Sequence, residues 1–263
     1  MEASQFVITR IYAHQVHLLR IYTALTLMAL LSVSAMAQNG NAWTPIIQLK
    51  GTGNQDSLVT GDMYALQGYY TQDDGLSYDL LVEVMQTNFS DQGRGSLFPN
   101  GNVLIHARPA DGSYTMLNYT LVETGSATPD NPAGIPQVFD IELCFRDLDG
   151  SEVIGLSEDT PEFLLSRDTR LASGLPKAKL EGLSSEWQLF SLNPEAAPDR
   201  KAWKFMQNAS PNDQQNWVKS HLASTTGFKV VFGSKGEDKG WEYRGSNLVM
   251  GLTPVQWVQS VEP

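Results

Sequence analysis

Residues 137–152, QVFDIELCFRDLDGSE, read first as a strand and then as a turn. Phe139, Ile141, Leu143 and Phe145 recur at every second position, with Asp140, Glu142, Cys144 and Arg146 between them. Successive side chains of a strand point to opposite faces, so this spacing describes a strand with one buried and one polar face. The strand ends at Asp147. Beyond it Asp147, Asp149 and Glu152 crowd a turn whose Gly150 can take a positive φ.

The same alternation recurs on both sides of this stretch. In SYDLLVEVMQT, Tyr78, Leu80, Val82 and Val84 share one face while Asp79 and Glu83 take the other. NVLIHA, YTMLNYTLV, EWQLFSL, GFKVVFG and SNLVMGL are further strand candidates, separated by breakers such as DQGRG, PADGS, SATPDNPAGIP and GSKGEDKG. Many short strands with turn signals between them predict an all-β chain, an antiparallel β-sandwich of jelly-roll-like type. One short helix is expected near 211–222: Ser210 can cap it, Pro211 suits its first position, and Trp217, His221 and Leu222 would share a face.

At the N-terminus, Arg20 precedes an apolar run from about Ala24 to Val33 and the small-residue series Ser34, Ala35, Met36, Ala37. That pattern is a secretory signal peptide cleaved after Ala37, and its apolar core is shorter than the roughly 20 residues of a spanning helix. The expected organisation is a cleaved signal peptide over 1–37, an N-terminal extension or first strand over 38–57, and a single β-sandwich domain over 58–263. No stable membrane span is expected after cleavage, and the expected location is secreted or periplasmic. The processed chain carries 16 basic and 28 acidic residues, a formal charge of −12. An acidic excess is repelled by nucleic acid, so no nucleic-acid partner is expected. Cys144 is the single cysteine, which excludes an internal disulfide and leaves a small buried hydrophobe, or a thiol that is reactive or pairs with another molecule, as its readings.

Chemistry is sparse. Carboxylates one residue apart in a loop can converge on a hard cation, which makes Asp147, Asp149 and Glu152 candidate Ca²⁺ ligands. The spacing is not that of an EF-hand. The other readings are an Asx turn with solvated acids and a catalytic carboxylate pair. A second acidic turn places Asp73, Asp74 and Asp79 around Gly75, where an Asp-Gly turn is a sufficient explanation. In the processed chain histidine is limited to His106 and His221, too few for a common zinc site. No nucleophile elbow, phosphate loop or dinucleotide fingerprint is present. Six tryptophans are read as packing residues or as a glycan platform.

GDMYALQGYYTQDDGLSYDLLVEVMQ, then VFDIELCFRDLDGSEVIGL, then GFKVVFGSKGEDKGWEYRGSNLVM resemble, in that order, a β-sandwich module of exported bacterial surface proteins. The shared features are Gly61, Asp62 and Tyr64 in a Gly-Asp-x-Tyr start, Asp147, Asp149, Gly150 and Glu152 in an Asp-Ile-Asp-Gly-like turn, and the Gly233 turn. Leu148 stands where isoleucine is commoner. The resemblance implies a β-sandwich at the cell surface or outside the cell, an adhesive or ligand-binding role with a glycan or cell-surface protein as partner, and no established catalysis. It also strengthens the Ca²⁺ reading. The alternatives are a secreted carbohydrate-active enzyme on a jelly-roll scaffold and a purely structural envelope component.

Overall fold

The computed structural model describes residues 44–89, 94–107, 113–146, 148, 152–157, 163–173, 183, 187–192, 214–234, 242–244 and 247–254. All of them belong to one compact unit, Asn39–Pro263. Residues 1–37, expected to be a signal peptide, lie outside the described residues, as do Asp147, Asp149, Gly150, Trp43, Trp203, Trp241 and Trp257.

The main sheet has eight strands in the order β1 (Ile46–Lys50), β2 (Met63–Thr71), β3 (Ser77–Thr87), β6 (Tyr114–Glu123), β13 (Gly227–Ser234), β8 (Glu152–Ser157), β11 (Trp187–Leu192) and β10 (Leu171–Ser173). Facing it is a four-stranded sheet, β15 (Asn247–Pro254), β7 (Phe139–Arg146), β12 (Val218–Thr225) and β9 (Phe163–Leu165). A third, small sheet contains β14 (Glu242–Arg244), β5 (Val103–Ala107) and β4 (Arg94–Leu97). Every pairing is antiparallel. The chain is a β-sandwich.

The core forms where the two larger sheets turn their apolar faces together. Leu80, Val82 and Val84 of β3 and Leu117, Tyr119 and Leu121 of β6 meet Phe139, Ile141, Leu143 and Phe145 of β7 in one buried cluster. The ring of Phe139 lies 5.0 Å from Tyr78, edge to face, and that of Phe145 lies 6.3 Å from Phe232. Tyr78 pairs with Glu123, near where β13 begins, so β7 and β13 run in the same sense and finish at the same end of the sandwich. Strand β7 keeps the strict alternation of buried and less buried residues that its sequence predicts.

The expected helix near 211–222 is not formed. Residues 211–213 lie outside the described residues; Gln214–Asn216 make one turn of 3-10 helix, and Val218–Thr225 is strand β12. The reason is tertiary. Val218, Ser220 and Leu222 are buried at every second position while Lys219 and His221 are exposed, and β12 fills the gap between β7 and β9, where both its edges find hydrogen-bonding partners. A helix there would bare one edge of β7 and take from β9 its partner strand, and a local preference of a few tenths of a kcal/mol per residue does not compensate for that.

Candidate functional site

Of the predicted cation ligands, Asp147 and Asp149 lie outside the described residues, while Glu152 opens strand β8 and is 7% exposed. It sits opposite Ser234 in the ladder, turned into the sandwich and not out from a loop. Gly233 likewise lies inside β13, paired with Val153 and Tyr114, so the expected turn there is a strand. Among the described residues no three His, Cys, Asp or Glu side chains come together.

The other acids of the sequence reading serve the backbone. At the β2–β3 hairpin, Gly75 has φ of +89° and the Asp74 carboxylate accepts the Leu76 N–H at 3.1 Å, which is an Asx turn. Asp79 does not join Asp73 and Asp74. It is buried and accepts the N–H groups of Gly68 at 2.8 Å and Gly125 at 3.0 Å, tying the bulge of β2 to the loop after β6. Asp62 goes further. Its Oδ1 accepts the amides of Thr52 and Gly53 at 3.0 and 3.1 Å, and its Oδ2 accepts the Val59 amide at 2.8 Å and the Tyr64 hydroxyl at 2.9 Å. Burial, the bond to Asp62 and its charge all push the Tyr64 phenol well above its ordinary range. The Gly-Asp-x-Tyr start is therefore a structural knot that folds residues 51–62 around one carboxylate.

The outer face of the four-stranded sheet is open. The outer face of the main sheet is covered by Tyr114, Met116, Trp187 and Val231 at one end and by Leu49, Leu81, Val122 and Ala127 at the other, and between these clusters Ile47 and Lys229 are exposed and Glu83 and Asn118 half-buried. On the four-stranded sheet, Glu142, Lys219, His221, Gly251 and Thr253 are exposed, and Leu164 is 59% exposed. The register sets these residues in rows. Leu164, Lys219, Cys144 and Val249 are neighbours across four strands, and His221, Glu142 and Gly251 form the next row.

At the margin of this face Trp217 is buried beneath two cations. The Arg146 guanidinium lies 4.4 Å and the Lys219 ammonium 5.2 Å from its ring centre, within cation–π range. Trp217 and Trp187 are packing residues and not sugar platforms. Cys144 is half-buried within the first row; burial pushes its thiol pKa up, while a hydrogen bond and charge from Arg146 and the charge of Lys219 pull it down. Sequence reasoning missed this face because it read residues 211–222 as a helix. The signal was present in the Val218, Ser220, Leu222 alternation.

No protein-family model matches the sequence, and no curated protein matches it. Among solved structures, the N-terminal domain of the Streptococcus gordonii adhesin Sgo0707 is similar to this chain, with a TM-score of 0.47 and 8% identity over 74% of this chain and 48% of that one. The chain thus spans about half the length of that structure.

Proposed function

We propose that this chain is an exported, non-catalytic binding module that engages a protein partner through the outer face of its four-stranded sheet. The observation that supports it is the pair of rows across the smaller sheet, where exposed Leu164 and Lys219 lie beside half-buried Cys144 and Val249 and the next row brings exposed His221 and Glu142, so that an apolar side chain and charges of both signs share one open face. An apolar side chain beside Lys219, with His221 and Glu142 in the next row, suits a protein surface, where an apolar contact excludes water and neighbouring charges fix register. A glycan is the second candidate, and the buried setting of Trp187 and Trp217 weighs against it because sugar faces stack on exposed rings. Export is supported by the signal-peptide pattern at residues 1–37. The spacing of Asp147, Asp149 and Glu152 supports a Ca²⁺ ion that stabilises the fold without taking part in chemistry.

The test is surface display of the chain on a non-adherent cell, with attachment to cell-surface protein extracts and to a glycan array measured separately. Leu164→Asp combined with His221→Glu is expected to reduce attachment to protein at least about tenfold, while leaving the unfolding midpoint nearly unchanged because both side chains are exposed. Undiminished attachment by that variant removes this face from the function, and attachment to glycans alone assigns the module to the second candidate.

A further inference from the structure

Three adjacent strands of the main sheet place a polar row where the core should be apolar. Ser234 donates its backbone N–H to the Ser113 carbonyl at 2.9 Å, and Ser234 is in register with Glu152, so Ser113, Ser234 and Glu152 stand side by side on β6's leading edge, β13 and β8. Alternation puts them on the inner face: Leu117, Phe232 and Val230, and Ile154 and Leu156, which share their parity, all belong to the central core. Thr115, beside Phe232 in the ladder, faces the same way one row further in. Ser113 and Thr115 are fully buried, Ser234 is 1% exposed and Glu152 is 7% exposed.

Two of these hydroxyls, Ser113 Oγ and Thr115 Oγ1, are buried without a hydrogen-bond partner, and so are both polar atoms of the Asn216 amide. Asn216 lies at the same end of the sandwich. It leads through Trp217 into Val218, which pairs with Phe145, whose ring meets Phe232; its carbonyl also accepts the Leu148 N–H at 3.4 Å. Orphaned buried polar groups are costly because their lost hydration is not repaid, and native proteins keep few of them without a use. Strand register brings one carboxylate, three hydroxyls and a side-chain amide to one end of the sandwich, and their oxygens are the kind of ligand a hard cation takes and a soft one does not.

We propose that this end of the sandwich holds a Ca²⁺ ion between the sheets, with Glu152, Ser113, Thr115 and Ser234 from the main sheet and Asn216 from the lead into β12. The site shares Glu152 with the reading of the 147–152 turn under the proposed function, and it stands without either aspartate of that turn. A single carboxylate among neutral oxygens places it in the weak class, with a Kd on the order of 10⁻⁴ to 10⁻³ M. The ion would clamp the start of β8 and the end of β13 to the start of β12.

The experiment follows Tb³⁺ luminescence, its competition by Ca²⁺, and the thermal midpoint of chelator-treated protein with and without added Ca²⁺. Wild type is expected to bind and to shift its midpoint upward. Ser113→Ala with Thr115→Val should weaken Ca²⁺ binding about tenfold or more and abolish the shift. In chelator the same variant should be as stable as wild type or more so, because apolar atoms replace unpartnered hydroxyls, which separates lost binding from failed folding. Thr115→Ser alone should retain the ion. Binding abolished by Asp149→Ala and untouched in the double variant overturns this site and leaves the turn as the ligand. The reverse pattern removes the turn and keeps the site. No Ca²⁺ response in wild type, with the orphaned hydroxyls bonded to water only, overturns both.

Discussion

Asp62 gathers four donors on one carboxylate. Its two oxygens accept three backbone amides and one phenol, and Gly51 and Gly53 approach so closely that a Cβ on either would collide with the carboxylate. Asp62→Ala leaves those four donors without their acceptor, and the expected loss is about 3 kcal/mol or more in urea unfolding. Gly53→Ala, a purely steric change because its φ is not positive, is expected to cost about 1–3 kcal/mol. Gly75→Asn is the control: φ is +89° there, a Cβ would meet nothing within 4 Å, and asparagine tolerates that conformation at under about 1 kcal/mol. Equal costs at positions 53 and 75 would show that the Asp62 knot does not depend on close approach. Tyr64 was legible in the sequence as part of a motif, but its role was not, because the donors to Asp62 come from up to ten residues away.

At the scale of elements, β12 tests how neighbours override local preference. Residues 218–220 have β7 on one side and β9 on the other, while residues 221–225 have β7 alone. Backbone N–H groups of a strand point alternately to its two sides. Hydrogen exchange is therefore expected to show consecutive protected amides over 218–220 and alternation through 222, broken where the register shifts between Leu222 and Thr225. A protected run with uniform behaviour through residue 225 would contradict the strand pairing and return the segment to a helix. Strand β7 was legible because its apolar residues alternate without interruption; β12 was not, because Ser220 occupies a buried position and Pro211 with Ser210 imitates a helix start.

For the whole molecule, the core contains tyrosines whose ionisation folding opposes. Tyr69 and Tyr119 are buried, with hydroxyls donating to the carbonyls of Asn100 at 3.1 Å and Gly101 at 2.7 Å. Burial pushes both phenols well above the ordinary value near 10, as it does Tyr64. An acid whose folded pKa is raised keeps its proton in the fold and releases it on unfolding, so stability falls as pH rises through the unfolded value. The urea midpoint is expected to hold near pH 8 and to fall steadily above about pH 10, with a shallower fall in Tyr69→Phe. A flat midpoint across that interval would mean that these phenols titrate normally in the fold.

The sequence by itself determined the β class, the alternation of β3 and β7, the hairpin turn at Gly75 and the acidic balance, because each depends on spacing within one segment or on composition. Only the tertiary structure decided that residues 218–225 are a strand, that Asp62 and Asp79 bind amides, that Glu152 faces Ser234 and Ser113 across the ladder, and that Leu164, Lys219, His221 and Glu142 share one open face. The physical reason is sequence distance. Ser113 and Ser234 are neighbours only because β6 and β13 pair, and no local pattern records which strand will lie beside which.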